Sequence, residues 1–249
     1  MSVLAPSRRV FCLFAAAILA SGIAAADTID AYNVGAGENI YLDVSGVVKQ
    51  EFAGLIEIKV TNSSGTYYQD TYCVQITVNI DEGTTYNTTV ELPSQVNWSS
   101  PPPTNAALEQ IAWLIDNYQA SAISGTDPND TSAALQLAIW KIAEDGVQTY
   151  VTGDTSPFTS GIVEASTTKG ETTNATVLSD ALGYLADADG KNTDLGNVYI
   201  NTTQATPPVA AQMLEGIRYA DTPESSTFIL AGVALLAFGH MARRRLGSH

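Results

Sequence analysis

The chain has 249 residues, 45% of them hydrophobic, and a formal net charge of −15 at pH 7. This acidity argues against nucleic acid as a partner, because binding a phosphate backbone requires clustered Lys and Arg. The only histidines are His240 and His249 near the C-terminus, which excludes Ser-His-Asp and Cys-His hydrolases in their usual form and zinc sites built on His or Cys clusters.

The N-terminus predicts a signal peptide over residues 1–26. Arg8 and Arg9 precede a short apolar run over 10–20, and an Ala-x-Ala cleavage site follows. The apolar run is shorter than the roughly 20 residues of a membrane-spanning helix. A secretion signal is therefore favoured over an anchor, and we expect an exported protein that starts at Asp27.

Residues 27–217 predict one domain, and its first part is rich in strands. Alternating or β-branched patterns predict four strands, at Ile40–Val48, Leu55–Val60, Tyr67–Ile80 and Thr84–Leu92. Turn residues separate them at 62–65 and 81–83. A Ser- and Pro-rich connector over 99–103 ends this block.

A helical block follows the strands. Apolar spacing predicts a helix over Thr104–Ile123 and another that is capped by Asp130 or Thr131 and ends near Asp145-Gly146. A third helix is predicted over Val177–Ala188. Two closing strands are predicted at Asn197–Asn201 and Gln212–Ile217. Strands, an inserted α-helical block and strands again indicate an α+β fold with a β-sandwich or barrel-like set of antiparallel strands.

Asp127, Asn129 and Asp130 raise the question of a calcium site. The segment lacks the glycine and the terminal glutamate of an EF-hand loop. A plain turn is the better interpretation, and we expect neither a metal nor a cofactor.

Cys73 is the one cysteine of the predicted domain, because Cys12 lies in the predicted signal peptide. In a strand over 67–80 it shares a face with polar residues such as Gln75, so it points toward solvent or a second layer. It has no cysteine partner within the exported part. A lone thiol in an exported protein needs a chemical explanation.

Gln136 is the unusual residue of the second predicted helix. It interrupts an apolar run, and its neighbours on the same helix face are Ile139 and Trp140. Such an amide is at least partly buried, and a buried amide without partners costs about 1–3 kcal/mol. Alone, it is explained by ordinary pairing at a helix–sheet boundary.

Taken together, the sequence motifs around Cys73 and Gln136 resemble those of a known family. Tyr72-Cys73-Val74 followed by Leu135-Gln136-Leu137-Ala138-Ile139-Trp140 resembles the thioester domains of bacterial surface adhesins, which pair an aromatic-Cys-apolar motif with an apolar-Gln-x-x-apolar-Trp motif. Leu135 stands where the family often has threonine. The helix containing Ala107–Ile115 resembles the helical insertion of that family, so the resemblance spans the exported domain.

The resemblance implies an internal thioester between Cys73 and Gln136. Its predicted shield against water consists of Tyr72, Val74, Ile139 and Trp140. Attack by an amine on a target surface would then acylate the amine and release the Cys73 thiol. We expect this once per molecule, so the protein is a covalent binder and not a turnover enzyme.

The C-terminus resembles the PEP-CTERM sorting tail of Gram-negative bacteria. Residues 218–227 form a linker with Pro223 and Glu224, and residues 228–249 form a short transmembrane helix and basic tail. Ser225 stands where the family has its second proline. The basic residues are Arg243, Arg244 and Arg245. The resemblance implies processing by an exosortase, transient anchoring in the inner membrane, and a final place at the cell surface or in the extracellular matrix.

Two functions from different classes follow from these motifs. The first is a secreted, surface-sorted adhesin whose thioester reacts with a surface amine or a polysaccharide target. The alternative is a structural protein of an exopolysaccharide or biofilm matrix that has the same fold and no reactive bond. A cysteine-dependent enzyme is disfavoured because the exported part lacks histidine.

Overall fold

The computed structural model describes residues 27–76, 80–96, 103–147, 149–150, 156–201 and 213–216. The predicted signal peptide, sorting motif and basic tail lie outside these residues. Within them, strands come first, a helical block follows, and strands close the domain, as predicted for an α+β fold. The strands are β1 (Asp27–Val44), β2 (Val47–Asn62), β3 (Gly65–Cys73), β4 (Thr85–Glu91), β5 (Val163–Ala165), β6 (Asn197–Asn201) and β7 (Met213–Gly216).

The described strands form a curled antiparallel sheet in the order β2-β3-β7-β6-β4-β1-β5. Since β2 also pairs with β1, the strands β1, β2, β3, β7, β6 and β4 close into a ring, and β5 extends the far end of β1. The predicted barrel-like arrangement is confirmed. The closing strands β6 and β7 lie where the sequence predicted them.

The hairpin of β1 and β2 is longer than its sequence pattern suggests. The predicted strand Ile40–Val48 is wrong, because Ser45 and Gly46 adopt positive φ angles of 54° and 83° and form a tight turn inside it. Two register shifts bend the hairpin between Ala31 and Gly37. A side chain at Gly54 would place its Cβ 2.4 Å from the Ala36 carbonyl oxygen, so the bend depends on close backbone approach.

The described helices are α1 (Asn105–Ser124), α2 (Pro128–Asp145) and α3 (Ala175–Ala188). Helices α1 and α2 contact strands of the sheet, and α3 packs against α2. The Thr104 side chain caps α1 by accepting from the Ala107 N–H at 3.1 Å. The predicted cap of α2 is wrong, because Asp127 holds the N-cap position and Pro128 begins the helix. Gly146 ends α2 as predicted, with its N–H donating to the Ile142 carbonyl.

Helix α2 lies at the centre of the packing, and its residues from Ser132 to Ala143 are all buried. It packs against α1, α3 and the β1–β2 hairpin. None of the described helices is both long enough and apolar enough to cross a membrane. Helix α2 therefore connects the helical layer to the sheet, and any side chain on its sheet-facing side is removed from water.

The end of β3 corrects the predicted strand Tyr67–Ile80. The strand stops at Cys73, and the chain then turns over Val74–Ile76. Gln69, Thr71 and Cys73 on the predicted polar face are buried; on the opposite face Tyr68 is 50% exposed, and Tyr72 near the end of the strand is buried as well. The predicted polar face is thus an inner one, where its groups find partners.

These inner polar groups are paired. Gln69 Oε1 accepts from the Tyr199 hydroxyl at 2.6 Å, and the Thr71 hydroxyl donates to the Ile56 carbonyl at 2.8 Å. Burying them is therefore inexpensive. The inner face of β3 is a polar layer that leads to Cys73.

Candidate functional site

Cys73 is the last residue of β3, and its backbone pairs with Leu214 of β7. The residue is buried, and its Sγ donates to the Gln75 carbonyl oxygen at 3.1 Å. The turn after the strand makes this contact possible, because it folds Gln75 back toward the sulfur. The thiol is thus held near a fixed acceptor and away from bulk solvent.

Gln136 lies in the middle of α2 and is 1% exposed, as its apolar neighbours predicted. Its Oε1 accepts from the Cys73 N–H at 2.9 Å, and its Nε2 donates to the Cys73 carbonyl at 2.6 Å. Both hydrogen bonds of the amide therefore go to the two peptide groups of one residue. This double contact fixes the plane of the Gln136 amide against the end of β3.

This arrangement places the Gln136 amide against the backbone of the residue that carries the thiol. Positioning a nucleophile and an electrophile side by side can replace a large part of a bimolecular barrier. The Cys73 N–H already points at the oxygen on which negative charge would develop during attack on the amide carbon. The amide nitrogen that would leave is held by the Cys73 carbonyl.

The chemistry open to this pair balances without another reactant. A C–S bond would form between Cys73 Sγ and the Gln136 amide carbon, and the C–N bond would break. The thiol proton would pass to the leaving nitrogen, which departs as ammonia. The product is a thioester, and burial of the pair would protect it from water.

The four predicted shielding residues are all buried. Tyr72 and Val74 flank Cys73 in sequence, and Ile139 belongs to the hydrophobic core. Trp140 lines a cavity of about 270 Å³ that also reaches Cys73. Of these four residues, Trp140 lines the same cavity as Cys73, and the other three lie within the packed interior.

Two residues at the site were not singled out from the sequence. Gln75 supplies the carbonyl that accepts from Cys73 Sγ, and its side chain lines the same cavity. Glu144 accepts a hydrogen bond from the Ile76 N–H in the turn after β3. The pKa of Glu144 is raised, mainly because burial disfavours its charged form. The hydrogen bond from Ile76 partly offsets this increase, and the negative charge of the neighbouring Asp145 adds to it.

A spacing signal could have found Glu144. It lies eight positions after Gln136, and Trp140 lies between them, so the three residues share one face of α2. No such signal exists for Gln75, because its place depends on where β3 ends. The sequence alone continues the strand pattern past that point.

A second buried polar junction occupies another side of α2. Lys141 Nζ donates to the Ser160 carbonyl at 2.7 Å and to the Val163 carbonyl at 2.9 Å, and it forms an ion pair with Asp145. Asp145 Oδ1 accepts from the Ile162 N–H at 2.5 Å. This junction ties the end of α2 to the segment that leads into β5.

The other predicted site residues divide into two groups. The sorting residues Pro223, Glu224, Arg243, Arg244 and Arg245 lie outside the described residues. Asp127, Asn129 and Asp130 lie at the start of α2, where Asn129 Oδ1 accepts from the Gly37 N–H at 3.3 Å. The described part of the chain contains no cluster of His, Cys, Asp and Glu that could hold a metal ion.

The structure thus combines a curled antiparallel sheet, an inserted helical block and a buried Cys–Gln pair between the two. Residues 70–191 match the family model of the thioester domain, and this range contains both Cys73 and Gln136. The match supports a thioester domain in this part of the chain.

Comparison with solved structures adds one similar protein. It is the N-terminal thioester domain of fibronectin-binding protein SfbI from Streptococcus pyogenes, with a TM-score of 0.38 and 16% identity over 66% of this chain and 86% of that chain. Among curated proteins, none matches the sequence significantly.

Proposed function

We propose that this chain is an exported, surface-sorted, adhesin-like protein that attaches covalently to a target through a thioester between Cys73 and Gln136. The observation that carries the proposal is the pair of hydrogen bonds between the Gln136 amide and the peptide groups of Cys73, at 2.9 and 2.6 Å. The match of residues 70–191 to the thioester-domain family supports the same reading.

The attachment would be a single event. A target amine attacks the thioester carbonyl, an amide bond to the former Gln136 carbon forms, and the C–S bond breaks. The attacking nitrogen gives up a proton, and Cys73 is restored as a thiol. Since the acyl group stays on the target, the protein does not turn over and is not an enzyme in the usual sense.

The location of the protein is part of the proposal. The motif over 1–26 would export it, and the tail over 218–249 would bring it to an exosortase-type enzyme at the inner membrane of a Gram-negative bacterium. The domain would then act at the cell surface or in the extracellular matrix. Only the tail would contact the membrane.

The test is an intact-mass measurement on the purified domain over 27–217. We expect a mass lower than the sequence mass by one ammonia, and an adduct after treatment with methylamine. Cys73→Ala and Gln136→Ala should each abolish both signals, because each removes one end of the bond. Far-UV circular dichroism checks that the variants keep their fold.

The alternative, a matrix protein with the same fold and no reactive bond, predicts the opposite result. A full sequence mass together with a titratable Cys73 thiol in fresh protein would contradict the covalent proposal and favour that alternative. The hydrogen bonds of Gln136 would then serve only to join α2 to β3.

A further inference from the structure

The cavity beside Cys73 carries an inference that rests on the proposed thioester. Its volume of about 270 Å³ is many times the roughly 10–15 Å³ that one water molecule needs. Cys73 and Trp140 lie on one part of its wall, and residues of the β1–β2 hairpin form another part. It is therefore large enough for an extended aliphatic group next to the sulfur.

Two residues of the cavity wall each have a buried polar atom that lacks a partner among the described residues. Gln75 Oε1 is an acceptor and Trp140 Nε1 is a donor, and the two residues are only 5% and 3% exposed. A buried polar group without a hydrogen-bond partner is energetically unfavourable. A molecule that enters the cavity would remove this cost if it brings a donor for Gln75.

The charges of the cavity favour a cationic molecule. Its charged residues within the described part of the chain are Glu51, Asp81 and Glu82, all of them acidic. Burial raises the pKa of Glu51, and Lys49 partly offsets this increase. Carboxylates around a concave opening concentrate cations near it.

We propose that this cavity receives the acyl acceptor and that the Gln75 side-chain carbonyl orients the attacking amine by accepting one of its N–H bonds. The carboxylates attract the ammonium form, which loses one proton to water before it attacks. The nitrogen then bonds to the former Gln136 carbon while the C–S bond breaks, and the proton released by the nitrogen passes to Cys73 Sγ. Gln75 touches the reacting nitrogen and sets its approach, and the Gln75 backbone carbonyl can accept from the Cys73 thiol again once that thiol has been released.

The decisive variants change the Gln75 side chain. Gln75→Leu removes the acceptor with little change in size, and Gln75→Glu retains an acceptor at the same reach. Aminolysis by methylamine is followed by mass and is expressed per molecule that carries the thioester, so differences in thioester formation do not enter. We expect Gln75→Leu to react about tenfold more slowly than wild type, which is the loss of one hydrogen bond in the transition state.

Gln75→Glu should react at least as fast as wild type. Hydrolysis without amine should change much less in either variant, because water at the thioester does not need this contact. The matched control is Gln110→Leu, which also removes a buried glutamine whose Oε1 lacks a partner among the described residues, but lies on α1 away from the cavity. Its aminolysis should equal that of wild type.

The outcomes separate the two proposals. Thioester-bearing Gln75→Leu that reacts at the wild-type rate would overturn the role of Gln75 and leave the thioester in place. Wild-type protein with a full sequence mass would overturn the thioester and, with it, this inference. If Gln75→Leu fails to fold, Gln75→Asn provides the same test, because it withdraws the carbonyl by one methylene and should also slow aminolysis.

Discussion

Helix α2 carries two buried polar junctions little more than one turn apart, and they differ in what surrounds them. Gln136 pairs with Cys73, and Cys73 lines a cavity together with Gln75 and Trp140, each of which has a buried polar atom without a partner among the described residues. Lys141 meets Asp145 and the backbone carbonyls of Ser160 and Val163, with 1% of its side chain exposed. The first junction has room for another molecule beside it, and the second is filled by the protein's own backbone.

Under the proposed function, the first junction is a reactive pair and the second is a structural one. A buried ion pair surrounded by protein contributes to holding segments together, and removing one partner leaves an uncompensated charge. A neutral pair of thiol and amide has no charge to compensate. Under the proposed function, its burial protects a thioester that water would hydrolyse. On this comparison, Lys141 should control stability and Cys73–Gln136 should control reactivity.

The largest expected effect is on the structural junction. Lys141→Met should lower the free energy of unfolding by about 3–5 kcal/mol, because Asp145 is left charged and buried. Urea denaturation measures this loss. Lys141→Met combined with Asp145→Asn should recover part of it, since the asparagine oxygen can still accept from the Ile162 N–H.

The folded fraction of Lys141→Met should still carry the thioester by intact mass. If the thioester disappeared while the fold persisted, the two junctions would be coupled and the division between stability and reactivity would be wrong. A loss of stability below about 1 kcal/mol would likewise contradict the assignment of Lys141 as a structural residue, because surface-like pairs give values of that size.

A smaller effect is expected at the hairpin that forms part of the cavity wall. Gly54→Ala would place a Cβ 2.4 Å from the Ala36 carbonyl and 2.5 Å from Gly37 Cα, so the two strands must separate. We expect a loss of about 1–3 kcal/mol, as for other cases of overpacking. Thermal unfolding measures it.

The control is Gly183→Ala in α3, where a new Cβ would meet no atom within 4 Å. It should raise stability by up to about 1 kcal/mol, because alanine favours a helix over glycine. Since Phe52 of the same hairpin lines the cavity, Gly54→Ala should also speed thioester hydrolysis, and Lys141→Met should not. Equal hydrolysis rates in these two variants would remove the spatial distinction between the junctions.

The elements of this fold follow the sequence where one signal dominates. Thr104 marked the start of α1, Gly146 marked the end of α2, and the apolar run around Gln136 predicted its burial. Each of these depends on neighbours in the chain, through a cap or a helical period. Local chemistry was enough to place them.

The sequence failed where distant contacts decide. The alternation of β-branched residues continues past Cys73, yet the strand ends there, and the residues that follow turn toward α2. The inner face of β3 is polar because Tyr199, Ile56 and Gln136 supply partners from distant parts of the chain. Gln75 could not be assigned to the site for the same reason.

The smallest effect is expected at Glu144, which is related to both junctions. It lies on the same face of α2 as Gln136, it is adjacent to Asp145 in the sequence, and it accepts a hydrogen bond from the Ile76 N–H. Burial raises its pKa above the ordinary value of 4.5. At pH values below 4.5 the carboxyl is protonated in both folded and unfolded chains, so stability is not reduced. As pH rises through the raised folded-state pKa, the unfolded chain releases the proton more readily, and stability falls.

Glu144→Gln removes this dependence and keeps an oxygen that can accept from Ile76. We therefore expect wild type and variant to be equally stable at acidic pH, and the variant to be the more stable of the two at pH 7, by less than the effects of Lys141→Met or Gly54→Ala. Urea denaturation across this pH range measures the difference. A variant that is less stable at every pH would mean that the charge of Glu144 is needed for its contact with Ile76, and would place this residue with the structural junction. An unchanged thioester content beside the gain at pH 7 would instead show that the turn after Cys73 tolerates a neutral acceptor, as expected if Glu144 only positions it.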